Sequence, residues 1–443
     1  MSKITSSVDN LYQLDGRVPM TRALPVGLQH ILAMFVSNLM PITILATAAG
    51  LSVEETSVLL RNAMLIAGIA TLIQLYPVWK VGARLPIVMG MSSKFIPVLY
   101  TIAEVYGYPS MIGAVIVGGI FEGIIGLFAR YWRRIISPVV ASAVVMSIGL
   151  SLFSVAARSF GGGYGDDFGS AQNWILGMVT LAVCLAWSCL TKGYWKHLSI
   201  LVGLVVGYIL AICMGKVDFS GIFAGGFIAL PKILPYAPEF HIEAIIPVCV
   251  IFIVSAAETI GDTSAMTSAG LNRDIQDKEI SGALACDGFL SSVSALMGCP
   301  ALTSFSQNAG IVAMTKVVNR FTVMIGSGIL ILAGLFPPIA NFFLSIPSPV
   351  LGGCTLIIFG NIFALGIEMF AKAGLNQRNI TIIALSFAIG VGFTATEEIA
   401  LWTIFPDIIY SVFASNIISV VFVVAVILNL VLPKGMETEQ SEY

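Results

Sequence analysis

Two carboxylates four residues apart stand inside an apolar run. In IFIVSAAETIGDTSAM, Glu258 and Asp262 fall on one face of a helix. A third carboxylate, Asp287 in ALACDGFLSS, has nothing within four residues to pair with. It needs a tertiary partner or a proton, and an unpaired buried carboxylate is suited to carrying one. The alternative is a carboxylate held by hydroxyls or helix-terminal N–H groups of a neighbouring segment. For Glu258 and Asp262 the alternative is a structural ion pair with Arg273, not far beyond. Lys94 in GMSSKF is a fourth charge in an apolar setting. It can snorkel, pair with a carboxylate such as Glu122, or attract an anionic ligand. His30 in GLQHILAMF titrates near neutrality but is as well explained by a packed hydrogen bond. Arg61 reads as structural.

The densest polar cluster is CPALTSFSQNAGIVAMTK, residues 299–316. Pro300 followed by T-S-F-S predicts an extended approach and then a helix start. Ser304 and Gln307 have capping-box spacing, with Ser304 as N-cap. A half-helix starting there would aim unpaired N–H groups and its positive dipole end into a cavity. Gln307 and Asn308 offer amide donors and acceptors side by side, and Gly310 permits close approach. Such an edge suits a flat heterocycle with alternating N–H and C=O groups, with Glu258 accepting from two N–H groups. The same amides also serve as interhelical contacts in other membrane proteins.

These groups sit in a chain of 443 residues that is 57% hydrophobic and 10% charged, with mean hydropathy +0.95. Soluble domains carry about 25% charged residues, so the composition predicts an integral, all-helical, polytopic membrane protein. A net charge of −2 with no basic patch argues against nucleic-acid binding. The seven cysteines form no CxxC pair, so neither a disulfide nor a metal site is expected. The first 22 residues do not read as a cleavable signal peptide.

Runs long enough to cross a bilayer, roughly 20 residues, are placed near 24–46, 57–77, 85–104, 109–129, 135–156, 174–190 and 198–215. A second set follows near 242–264, 279–297, 299–315, 318–337, 348–370, 379–395 and 408–432. That predicts about fourteen segments, flanked by tails at 1–23 and 433–443, with a loop at 216–241 between the halves 24–215 and 242–432. With the N-terminus inside, 17 of the 22 Lys and Arg residues, from Lys3 to Lys434, fall on the cytoplasmic side. Glu54, Glu55, Glu104, Asp166, Asp167, Glu397, Glu398 and Asp407 fall on the other. Both termini are therefore expected in the cytoplasm.

The halves also echo each other. GLF at 126–128 precedes SPV at 137–139, and GLF at 334–336 precedes SPV at 348–350, offsets of 208 and 211 residues. A duplication of seven segments would place the two copies in opposite orientations, as in many secondary transporters. The 211-residue offset carries Thr303 to Ser92, in a second polar cluster that follows Pro86. Paired interrupted segments at matching positions point to a transporter binding site.

On these residues the chain resembles the nucleobase–ascorbate transporters, nucleobase:cation symporter family 2. Gln307, Asn308, Gly310, Thr315 and Lys316 fit the signature, and ETIGD, the CDG at 286–288 and the LQH of the first segment follow in family order. The resemblance spans the full chain. It implies two inverted repeats of seven, core and gate domains, short strands in segments 3 and 10, a homodimer, and no cofactor beyond a co-transported proton, in preference to sodium. By matching position, Glu258, Gln307, Ser92, Asn308 and Phe95 are implied to bind substrate. Asp287, Asp262 and His30 are implied to support it or couple protons, and Lys94 modulates choice. Glutamine at position 307 is typical of xanthine and urate carriers; Ser92 leans toward urate, and Lys94 departs from the family pattern.

The expectation is a proton-coupled importer of oxidised purines, xanthine or uric acid, in the cell membrane, working by alternating access. The alternatives are a carrier for guanine, hypoxanthine or uracil, or an anion exchanger or channel on the same architecture, which the midplane carboxylates oppose. No soluble domain, HExxH or nucleotide motif supports an enzyme.

Overall fold

The computed structural model describes residues 7–129, 137–163, 165, 167–192, 194–395, 402, 404, 413 and 417–433. Lys3, Arg130, Arg133, Arg134, Asp166, Glu397, Glu398, Asp407, Lys434 and the start of the last apolar run lie outside the described residues.

The chain is mostly helical. Helices α1 (Met20–Ala48) and α2 (Val53–Leu75) lead to strand β1 (Met89–Met91), then α3 (Ile96–Val105), α4 (Tyr108–Leu127), α5 (Pro138–Gly161), α6 (Ala171–Leu190) and α7 (Ser199–Cys213). The order then recurs. Helices α8 (Ile242–Leu271) and α9 (Asp277–Leu296) precede strand β2 (Leu302–Ser304), α10 (Ser306–Thr315), α11 (Arg320–Gly334), α12 (Pro337–Leu344), α13 (Ser348–Ala373), α14 (Gln377–Ala395) and α15 (Ile417–Val431). Among the described residues seven helices are individually long and apolar enough to cross a membrane.

Local chemistry sets the ends of these helices. Ser52 caps α2 by accepting from the Glu55 N–H, and the Glu55 carboxylate accepts from the Ser52 N–H in return. Ser137 and Ser170 stand at the N-caps of α5 and α6, with Pro138 at the first position of α5. Between α11 and α12 the axis turns by 80°. Pro337 and Pro338 explain that break: neither has an N–H to continue the ladder, and the residue before a proline avoids helical backbone.

The third and tenth apolar runs are not continuous helices. Each is an extended stretch followed by a ten-residue helix. The two strands pair antiparallel, with Met89 opposite Ser304, Gly90 opposite Thr303 and Met91 opposite Leu302. Backbone bonds from Ser92 N–H to Ala301 O at 2.9 Å and from Phe305 N–H to Val88 O at 3.0 Å extend the ladder. Side chains from surrounding helices take up the outward-facing donors. Met89 N–H donates to Thr71 Oγ1 (2.9 Å), Met91 N–H to Asn38 Oδ1 (2.8 Å) and Leu302 N–H to Ser291 Oγ (2.9 Å). Non-helical backbone persists at membrane depth only when satisfied in this way.

Helices α1–α4 and α8–α12 pack mainly with one another: α4 against α8 and α9, α2 against α11, α1 against α2 and α11. A second group consists of α5–α7 and α13–α15, led by α13 against α5 and α6 and by α14 against α15. The strand pair belongs to the first group.

The close approach at the strands leaves no room for a side chain at Gly90. A Cβ there would lie 2.5 Å from the Phe305 ring and 2.7 Å from Asn38 Oδ1. Gly90→Ala is expected to destabilise the protein by about 1–3 kcal/mol, the usual cost of overpacking. Gly328→Ala, where a Cβ meets nothing within 4 Å, is the control. Thermal unfolding of the detergent-solubilised proteins, followed by loss of the monodisperse chromatographic peak, distinguishes the two; equal melting would contradict the packing.

Candidate functional site

Where the two packing groups face each other there is a cavity of about 440 Å³, within the size range of small-molecule sites. Ser92, Ser93 and Lys94 reach it from the turn after β1, Glu258 from α8, and Thr303, Ser304, Phe305 and Gln307 from β2 and the start of α10. The second group supplies Ile200 of α7 and Ile358, Asn361, Ile362 and Leu365 of α13. Polar groups thus line one wall and mostly apolar groups the other. A second cavity, about 210 Å³, lies between α1 and α3 on one side and α5 and α13 on the other and contains Arg158. None of Glu258, Asp262 and Asp287 lines it.

Lys94 Nζ lies 2.7 Å from Glu258 Oε2, with side chains 12% and 5% exposed. The ammonium is neither snorkelling to an interface nor paired with Glu122. Lys94 stands in the 3-10 turn Ser93–Phe95, which the strand pairing carries directly opposite α8. Arg273 is not the partner of Glu258 or Asp262; it forms a fork with Glu279 at 2.9 and 2.5 Å, at the start of α9.

Asp287 is fully buried, and its Oδ2 accepts a 2.6 Å hydrogen bond from Thr259 Oγ1. Thr259 Oγ1 is in turn 3.4 Å from Ser304 Oγ, which faces the cavity. The carboxylate therefore connects to the cavity through two hydroxyls. Asp262 does not line the large cavity; it borders a separate void of about 10 Å³ behind Ser304 and Phe305.

Three expectations about the α10 region change. Ser304 is not the N-cap: it is the last residue of β2, paired with Met89, and Phe305 stands at the cap with no side-chain cap bond. Strand pairing outweighs the capping pattern because it satisfies backbone groups that have no water to turn to. Asn308 is 1% exposed and turned away from the cavity; its Nδ2 donates to His30 O at 3.0 Å and lies 3.1 Å from His30 Nδ1. At a helix start, adjacent residues point about 100° apart, so Gln307 and Asn308 cannot both meet one ligand edge. His30 is likewise buried at 1%, a clasp between α1 and α10. Phe95 is fully buried and packs on Phe252 with ring centroids 4.6 Å apart, behind the cavity wall. Gly310 lies inside α10. Thr315 closes that helix with a bond to Ile311 O at 2.8 Å, and the exposed Lys316 ends it in the left-handed region, φ 59°.

Residues at the site that the sequence does not single out include Thr259, Asn361 and Glu368, the last bordering the cavity from α13. Thr259, next to Glu258, looked like an ordinary helix residue, and Asn361 sits alone in the apolar run of α13. Its signal was an isolated amide in FGNIFALG.

The buried ion pair makes a prediction that is independent of activity. Removing one partner of such a pair costs about 3–5 kcal/mol, because the other charge is left in a poor solvent. Lys94→Met should therefore lower the melting temperature, and adding Glu258→Gln should restore most of the loss. A double variant no more stable than Lys94→Met would show that the two groups do not depend on each other.

Comparison with known proteins agrees with this architecture. A family model described as "Permease family", Xan_ur_permease, matches residues 21–399. A relative from Clostridium perfringens, whose name assigns it provisionally as a purine permease, is 34% identical over 438 residues, 98% of this chain and 96% of its own. The xanthine permease XanQ of Escherichia coli K12 is 33% identical over 448 residues, covering 97% and 95%. The transmembrane domain of the cyanobacterial bicarbonate transporter BicA has the same fold, with TM-score 0.59 at 15% identity over 82% of this chain and 94% of that one. With family match and relatives running nearly end to end, the chain belongs to the nucleobase–ascorbate transporter family of permeases, as a multi-pass membrane transporter and not an enzyme.

Proposed function

We propose that the protein imports oxidised purines, xanthine or uric acid, together with a proton. The carrying observation is the cavity between the two packing groups, where Glu258, Gln307 and Ser92 meet. Gln307 can donate and accept toward one purine edge, and Glu258 can accept from two adjacent N–H groups. The uncapped start of α10 adds favourable electrostatics for the carbonyl oxygens. The relatives named for xanthine and purine transport support the same substrate class.

In this reading, counting β1–α3, β2–α10 and the bent pair α11–α12 each as a single segment gives fourteen crossings in two inverted repeats. The first packing group is the core and the second the gate, in a cell membrane with both termini cytoplasmic. The loop 216–241 separates the repeats, and two copies associate. Rocking of gate against core would expose the site to alternate sides. Asp287, reached through Thr259 and Ser304, is the group that exchanges the coupling proton; His30 and Asn308 hold α1 to α10. Lys94 occupies Glu258 until a ligand competes for it. A second reading, an anion carrier, draws on Lys94 and on the fold shared with a bicarbonate transporter. The pairing of Lys94 with Glu258 disfavours it, since the pair is neutral as a unit.

Radiolabelled xanthine, urate, guanine and uracil should be offered to cells lacking their own carriers. Uptake of xanthine or urate, collapsed by a protonophore, is expected. Glu258→Gln should lower that uptake by well over tenfold, more than about 1.4 kcal/mol of lost interaction, while the protein stays in the membrane. Undiminished transport by Glu258→Gln would remove the binding assignment, and chloride or bicarbonate flux without purine uptake would favour the anion carrier.

A further inference from the structure

Besides Glu258 and Asp287, a third buried carboxylate lies outside the cavity. Glu122 lies on α4, fully buried, and neither of its carboxylate oxygens has a hydrogen-bond partner among the described residues. It sits in the run GGIFEGIIG, whose glycines press α4 onto α9. A Cβ at Gly119 would lie 2.6 Å from Gly288 O, and one at Gly123 would lie 2.6 Å from the Phe289 ring. A Cβ at Gly288 would collide with the backbone nitrogen of Gly123. This is a closely packed seam with backbone at its surface, and the helix N–H groups there are already engaged in their own ladders.

The donor and acceptor inventory then favours one chemical form. An ionised carboxylate accepts only, and among the described residues no donor bonds to either Glu122 oxygen. A carboxylic acid needs an acceptor, and helix carbonyls have a second lone pair to give. Neighbouring hydroxyls already use carbonyls in this way: Ser292 Oγ donates to Ile116 O of α4 at 2.8 Å, and Ser291 Oγ to Asp287 O at 2.6 Å. An unpaired ionised carboxylate in such a place would cost several kcal/mol.

Glu122 is also within electrostatic reach of the transport site. The charges that act on it are those of Asp287 and Lys94. Among the elements packed against α4, α9 brings Asp287, and its Cys286 thiol turns the other way, toward Ala70 O of α2 at 3.8 Å. From α8 come Glu258 and Asp262; α3 carries Glu104, which is exposed. Ser304, Thr259 and Asp287 form a line of polar groups running from the cavity to this seam.

We propose that Glu122 is a second proton-binding site, a carboxylic acid held in the α4–α9 seam where Gly123 and Gly288 touch beside it and Asp287, and that during the transport cycle the two side chains come within hydrogen-bonding reach and exchange a proton. Two carboxylates placed this closely do not ionise independently, so the coupling proton belongs to the pair and its passage requires both members. Each transfer moves one proton from a carboxylic acid to a carboxylate, and the net uptake is one proton from water. The inference rests on the reading of the protein as a proton-coupled carrier.

The test uses the full-length protein in proteoliposomes. Glu122→Gln keeps the shape of the acid but cannot release a proton. It is expected to exchange labelled purine for unlabelled purine near the wild-type rate, yet to lose substrate-driven proton entry and accumulation against a gradient. Glu122→Asp should recover proton entry at least in part. Infrared difference spectra on adding substrate should show a carboxylic-acid C=O band in the wild type that is missing from Glu122→Gln. Proton entry and accumulation unchanged in Glu122→Gln, or spectra identical to wild type, would overturn the proposal and make Glu122 a structural residue. If Glu122→Gln does not fold, the Glu122→Asp protein decides: an unshifted C=O band there also overturns it. A wild-type protein that neither exchanges nor accumulates purine would instead refute the transport reading itself.

Discussion

The structure depends on satisfying a few backbone groups far from water. Inside a bilayer an open N–H or C=O costs several kcal/mol, so a segment that leaves the helical ladder must find partners at once. Here β1 and β2 find them in each other, through the register that sets Gly90 against Thr303. Asn38, Thr71 and Ser291 take the donors that face outward. Those three polar side chains lie on three different helices, so the strand pair also ties α1, α2 and α9 together.

The site follows from that arrangement. Because the strands end beside the cavity, α3 and α10 begin near it, and the turns that follow the strands face the gap between the packing groups. Pairing the strands brings the turn at Lys94 opposite α8, and so creates the Lys94–Glu258 contact at 2.7 Å. Behind them the same packing leaves Asp287 fully buried with one hydroxyl donor. The mostly apolar wall of α13 belongs to a different group of helices with fewer ties to the first. A polar wall on one body and an apolar wall on another is an arrangement that relative movement can open and close.

Much of this was legible in the sequence. Prolines followed by polar clusters at Pro86 and Pro300 marked the interrupted segments, since no lipid-facing helix would carry them. Glu258 and Gln307 both line the cavity, and both were identified from charge and amide chemistry in apolar runs. The misreadings share one cause. Ser304 matched a capping pattern, but a capping pattern is local and the strand pairing that overrode it joins residues more than two hundred apart. Asn308 is placed at the ligand by its amide and by matching family position, and Phe95 by matching position, yet their side chains leave the backbone in other directions, toward His30 and Phe252.

The sequence by itself determined that this chain lives in a membrane, that it breaks two of its segments in matching places, and which carboxylates and amides stand inside its apolar runs. Those conclusions rest on composition, on the length a bilayer demands and on the cost of burying charge, all of which are read along the chain. Only the tertiary structure decided which groups meet. The choice of Glu258 for Lys94, of Thr259 for Asp287 and, among the described residues, of no hydrogen-bonding group for Glu122 depends on strand register and on how closely glycines let α4 approach α9. No local pattern encodes those distances, because each is set by the packing of elements far apart in sequence.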